Sequence, residues 1–113
     1  MNITIIGTGF VGVVSAAVFA SFDNKVIGLD IDPQKIKSLE QGKVPFFEPG
    51  LEKLLLEQQQ TGDLTLTTDY EAAIKDAEVV MIAVGTPSKP DGNVNAKYLF
   101  AACKSLAPHL KDQ

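Results

Sequence analysis

Hydrophobic positions along this chain switch between two periods. Ile3 to Ile6 is a short run rich in β-branched residues that ends at Gly7, the pattern of a buried strand. Small and apolar residues continue from Phe10 to Ser21 without a breaker, which predicts a helix packed closely on a sheet. Asp23-Asn24 interrupts, and Lys25 to Leu29 predicts a second strand. Asp32-Pro33 reads as a helix start: a carboxylate N-cap, then proline where its missing N–H does no harm. Ile36 and Leu39 carry that helix forward, and Gly42 stops it. Val44 to Gly50 is too rich in proline for regular structure. Leu51 to Gln58 resumes helical spacing, with Leu51, Leu54 and Leu55 on one side. Leu64 and Leu66 alternate with threonines in Asp63 to Thr67, the period of a half-buried strand, and Asp69 caps a short helix over Ala72, Ala73 and Ile74. Val79 to Val84 is almost unbroken apolar sequence and predicts a central parallel strand covered on both faces. A loop from Gly85 to Asn93 and a helix from about Asn95 to Leu106 follow.

Strands alternating with helices predict an α/β fold with a parallel sheet. The 113 residues amount to one ordinary domain, and 45% hydrophobic residues suffice for a core. A net charge of −4 and a pI near 4.8 argue against a nucleic-acid partner, which would want a basic stripe. They leave a phosphate ligand open, because backbone N–H groups bind anions without net positive charge. Phe10 to Phe22 is the most apolar stretch near the start. It is preceded by no Lys or Arg and is too short to span a bilayer, so no signal peptide and no membrane association are expected. The lone Cys103 cannot form an internal disulfide, which points to a reducing, cytoplasmic setting.

Gly7-Thr8-Gly9-Phe10-Val11-Gly12 matches the spacing G-x-G-x-x-G in its required context, with a strand before it and a helix after it. An acidic residue, Asp30, stands at the end of the second strand, eighteen residues beyond Gly12. Each part has a task in dinucleotide binding. Gly7 permits the tight turn, Gly9 lets backbone approach a pyrophosphate, and Gly12 lets the helix lie close to the strand. The helix then offers unpaired N–H groups and the positive end of its dipole. Asp30 competes with Asp32 for the capping role. Asp32 fits the cap better, which leaves Asp30 free to accept hydrogen bonds from ribose hydroxyls and to repel a 2′-phosphate, so NAD is expected rather than NADP. Spacing leaves Lys35 open between a solvated side chain and a ligand contact. Thr86, after the carboxyl end of the strand Val79 to Val84, is likewise open between a turn residue and a hydroxyl aimed at a cofactor.

Taken together, the glycine motif, Gly28-Leu29-Asp30-Ile31-Asp32, Pro45-Phe46-Phe47-Glu48-Pro49-Gly50-Leu51 and Val84-Gly85-Thr86-Pro87 resemble the UDP-glucose/GDP-mannose dehydrogenase family across the whole chain. The glycine motif is generic, whereas the proline-rich segment and Val84 to Pro87 are more specific. Position 10 is often tyrosine in that family, and Phe10 keeps the ring. The resemblance implies that Val11 contacts the dinucleotide with the glycine loop, that Asp30 and Lys35 bind at the adenosine ribose, and that Thr86 lies against the cofactor. Family members oxidise the C6 hydroxyl of a nucleotide sugar, such as UDP-glucose, to a carboxylate in two NAD-dependent hydride transfers through a thiohemiacetal and thioester on a cysteine. That cysteine belongs to later parts of the family's chain. Residues 1–113 are therefore expected to be the N-terminal part of an incomplete Rossmann-type, doubly wound domain, inactive alone. The rest of the domain, the substrate domain and homo-oligomeric assembly are expected in a longer polypeptide.

The expected cofactor contacts are thus Gly7, Gly9, Phe10, Val11, Gly12, Asp30, Lys35 and Thr86, with no catalytic residue and no metal ligand set. Cys103 lies in the apolar helical stretch Leu99 to Cys103 and reads as a small buried hydrophobe, since an activated thiol needs an accessible, electropositive setting. His109, the single histidine, has no recognisable partner in the sequence. GDP-mannose or UDP-N-acetylhexosamine dehydrogenases are close alternatives. A non-catalytic NAD-sensing module is a more distant one, and it gives no reason for Pro45 to Leu51.

Overall fold

The computed structural model describes residues 1–85, 89–92 and 96–110. Strand β1 (Asn2–Ile6) takes an inner position in a four-stranded sheet with β2 (Lys25–Leu29) on one side and β4 (Val79–Ile82) on the other. Strand β3 (Leu64–Thr67) lies outside β2, giving the order β3-β2-β1-β4. All three pairings are parallel, with Ile3 opposite both Val26 and Val79, and Val26 opposite Leu64. Parallel neighbours require crossovers, and helices supply them. These are α1 (Phe10–Ser21), α2 (Pro33–Glu40), α3 (Leu51–Thr61), α4 (Tyr70–Ile74) and, after β4, α5 (Lys97–Leu106).

The alternation of side chains along β1 divides the core into two layers. Ile3 and Ile5 point to one face, where Val13, Ala16, Ala17 and Ala20 of α1, Ile36 and Leu39 of α2, and Leu51 and Leu55 of α3 cover them. Ile6 joins Leu29 on the other face, under Ala73 and Ile74 of α4 and Ala102 and Leu106 of α5. Thr4 is the buried polar residue of the strand, and its hydroxyl donates to the Ala73 carbonyl, tying α4 to the sheet. Helices on both faces of a parallel sheet make this a Rossmann-type α/β fold, as the alternation of elements predicted. Among the described residues no helix is long and apolar enough to cross a membrane.

Several boundaries differ from expectation. Helix α3 runs on to Thr61, because glutamines 58–60 favour helix without adding apolar spacing, and it stops at Gly62 in the left-handed region. The expected strand Val79 to Val84 ends at Ile82. Among the described residues it pairs with β1, with Val79 exposed and Val80, Met81 and Ile82 half-buried. Helix α5 begins at Lys97, and Asn95 lies outside the described residues. A short 3-10 turn, Ala107–His109, follows α5 and was not expected.

Candidate functional site

The carboxyl ends of β1, β2 and β4 open into a cleft of about 650 Å³, at the position where parallel α/β sheets hold ligands. Its floor is the glycine loop, and its walls include Asp30 to Asp32, Lys35, Tyr70, Ala83 to Gly85 and the inner side of α5. The three glycines differ in what they avoid. Gly7 has φ +102°, and a Cβ there would lie 2.6 Å from the Ala83 carbonyl oxygen. At Gly12 a Cβ would lie 1.8 Å from the Gly7 carbonyl oxygen, so the missing side chain is what allows α1 to rest on the loop. Gly9 is different: its φ is −74°, and a Cβ would meet nothing within 4 Å. Among the described residues, neither backbone conformation nor packing demands glycine at position 9. The bare backbone faces the cleft, where a side chain would stand in the way of a ligand.

Gly9 is also the N-cap of α1, and no side chain caps that helix. The first turn of any α-helix has N–H groups without intrahelical partners. Here they open beside the cleft together with the positive end of the helix dipole, an arrangement suited to a phosphate. Phe10 and Val11 lie on this first turn, 51% and 58% exposed, and both line the cleft.

Asp30, at the end of β2, is half-buried and turned toward the glycine loop. Its Oδ2 accepts from the Thr8 N–H at 3.0 Å and the Thr8 hydroxyl at 2.6 Å, and its Oδ1 accepts from the Asp32 N–H at 3.0 Å. Burial pushes the carboxyl up. The hydrogen bonds from the Thr8 hydroxyl, the Asp32 N–H and the Thr8 N–H, with the charge of Lys35, outweigh it, so Asp30 titrates below the ordinary carboxylate range. Asp30 is therefore not the unengaged acceptor that the sequence suggested. A carboxylate has about four acceptor positions, and three are used, so room for a ribose hydroxyl remains. Asp32 does cap α2, accepting from the Gln34 N–H at 2.9 Å.

Lys35 is exposed on the first turns of α2 and lines the same cleft as Asp30. The structure thus brings together Gly7, Gly9, Phe10, Val11, Asp30 and Lys35, with Gly12 directly beneath the loop. Thr86 lies outside the described residues, whereas Gly85 before it borders the cleft.

Sequence reasoning missed Thr8, which is 5% exposed and joins the loop to Asp30. Its signal was available: a hydroxyl at a variable motif position facing an acid across two adjacent strand ends. Tyr70, Tyr98 and Ser105 also line the cleft and were missed, because contacts from α4 and α5 depend on layering rather than on any local motif. Burial raises the Tyr70 hydroxyl above its usual value, a hydrogen bond with Ser105 opposes this, and the charge of Asp30 adds to the rise. Two expectations need correction. Cys103 is exposed, because α5 turns Ala102 and Leu106 to the core instead. His109 has a partner, stacking on Tyr70 with ring centroids 6.1 Å apart and planes 16° from parallel.

Comparison with known proteins agrees with this geometry. The model of the UDP-glucose/GDP-mannose dehydrogenase family, NAD binding domain, matches residues 1–113. A UDP-glucose 6-dehydrogenase of Bacillus subtilis is 42% identical over 111 residues, covering 98% of this chain and 25% of that protein. A GDP-mannose 6-dehydrogenase of Pseudomonas aeruginosa is 41% identical over 113 residues, covering 100% of this chain and 26% of that protein. The crystal structure of a ternary complex of GDP-mannose dehydrogenase from Pseudomonas aeruginosa superposes with a TM-score of 0.94 at 41% identity, again over 100% of this chain and 26% of that one. The chain thus spans about a quarter of the length of the curated relatives it matches. Sheet order, glycine loop and acidic strand end all agree with that match, and the chain belongs to the UDP-glucose/GDP-mannose dehydrogenase family, within its NAD binding domain.

Proposed function

We propose that residues 1–113 are the N-terminal part of the NAD-binding domain of a nucleotide-sugar 6-dehydrogenase, and that the cleft above the glycine loop holds the cofactor. Gly9 carries this reading, being a glycine whose lack of a side chain serves no contact among the described residues. In the proposal the pyrophosphate lies on the opening turn of α1, against the Gly7, Gly9 and Gly12 backbone, with Phe10 and Val11 beside it. Asp30 accepts from the adenosine ribose with its remaining acceptor position, Lys35 stands next to it, and Thr86 contacts the cofactor. Thr8 holds the Asp30 carboxylate in place through two hydrogen bonds and leaves the outer edge of the carboxylate to the ligand. When bound, NAD supplies the carbon that accepts hydride from the sugar alcohol. This chain's own residues bind and orient it, and the reacting cysteine belongs to the remainder of the longer polypeptide.

UDP-glucose is the substrate we favour, in line with the motif resemblance, and GDP-mannose is the near alternative, because relatives named for each are equally similar. The test is NADH absorbance in assays of the longer polypeptide with NAD and either nucleotide sugar. NADH formation with UDP-glucose supports the reading, formation with GDP-mannose alone moves the substrate to the second class, and formation with neither of these nor a UDP-N-acetylhexosamine refutes the proposed activity. The 113-residue chain alone should form no NADH with either.

A further inference from the structure

The proline-rich segment between α2 and α3 is the most specific feature of the sequence, and nothing above gives it work to do. In the fold it is a bracket fixed at both ends. At one end the Val44 N–H donates to the Glu52 carboxylate at 3.0 Å. At the other, Gly50 adopts φ +81° and turns the chain into α3, where Leu51 is buried. Between these anchors the segment sends two adjacent aromatic rings in different directions. Phe47 is 90% exposed. Phe46 is half-buried against the core and meets Phe10 edge to face, with ring centroids 5.0 Å apart and planes at 71°. Phe10 stands on the opening turn of α1 and lines the cleft.

We propose that Phe46 is a positioning residue for cofactor binding: it fixes the Phe10 ring beside the unpaired N–H groups of α1, so the wall of the cleft is set before the dinucleotide arrives. The inference rests on the reading of the cleft as an NAD site. Its physical basis is preorganisation. A half-exposed phenylalanine loses rotamer freedom when a ligand packs on it, and a ring already held by an edge-to-face partner has less to lose. The same contact explains why the bracket must be stiff, with two prolines, a glycine turn and a carboxylate clamp, since a loose segment would not hold Phe46 at one distance from α1.

The test is a double-mutant cycle in the longer polypeptide, with NAD affinity read by calorimetry and folding by thermal unfolding. Phe46→Leu keeps apolar volume on the core and removes the ring; it should weaken NAD by roughly three- to tenfold, the range of an aromatic pair, with little change in unfolding temperature. Phe46→Tyr restores an edge-on ring and should bind as wild type. Phe10→Ala should weaken NAD, and adding Phe46→Leu to it should cost nothing further. Phe47→Ala, on the exposed ring, should leave affinity unchanged. Wild-type affinity in Phe46→Leu, or losses that simply add in the double variant, would overturn the positioning role. A wild-type protein that takes up no NAD would instead overturn the reading beneath it.

Discussion

At the level of single residues, the glycine loop and Asp30 form one unit rather than two separate signals. Thr8 is the joint, giving its N–H and its hydroxyl to one carboxylate oxygen. Replacing Asp30 with Ala should therefore act twice, removing the proposed charge-assisted contact to the ribose and releasing the loop. The contact alone is worth about 1.5–3 kcal/mol of NAD affinity, and calorimetry that finds wild-type affinity would remove Asp30 from the site. The depressed titration of Asp30 also has a pH consequence. A carboxyl whose folded pKa lies below its unfolded value contributes stability above the unfolded value, near 4, and loses it as pH falls through the folded one. The stability advantage of wild type over Asp30→Asn should be full at neutral pH and shrink below about pH 4. A gap that stays constant through that window in denaturant titrations contradicts the assignment. Gly12 makes a purely structural demand: with a Cβ 1.8 Å from the Gly7 carbonyl oxygen, Gly12→Ala should destabilise by about 3 kcal/mol, the upper end of overpacking costs. Near-wild-type unfolding of that variant would show that α1 can lift off the loop.

Among the elements, the legible ones were those with local punctuation. Asp32-Pro33 opened α2, Asp69 opened α4 and Gly42 followed the end of α2, because caps and stops act within one turn of chain. Helix α4 is only five residues long and would not persist alone. It holds because Asp69 accepts from the Glu71 N–H at 3.0 Å, the Thr4 hydroxyl reaches the Ala73 carbonyl, and Ala73 and Ile74 are buried. Asp69→Ala should cost about 0.5–2 kcal/mol in chemical denaturation, and a loss below a few tenths would mean that burial alone carries the helix. What the sequence could not reveal was decided between elements. The apolar stretch around Cys103 did not disclose which side of α5 meets the core, and no local motif disclosed that Tyr70, Tyr98 and Ser105 line the cleft. Both depend on the placement of neighbours that are distant in sequence. Thr86 drew a role from motif and resemblance alone, and it lies outside the described residues.

For the molecule as a whole, the arrangement follows from one sheet dressed on both faces. Helices α1, α2 and α3 bury one side and α4 and α5 the other, so the carboxyl ends of β1, β2 and β4 share a cleft bordered by both layers. Motif spacing foretold the floor of that cleft, and only the fold supplies the wall from α4 and α5. Among the residues of that floor, Gly9 separates the demands of a ligand from those of the scaffold. The decisive measurement is NAD titration of Gly9→Ala in the longer polypeptide, beside its thermal unfolding. With no atom of the described residues within 4 Å of the added Cβ, unfolding should match wild type while NAD affinity falls at least about tenfold, the equivalent of about 1.4 kcal/mol. A Gly9→Ala protein that binds NAD as tightly as wild type would contradict the claim that this bare turn of backbone receives the cofactor.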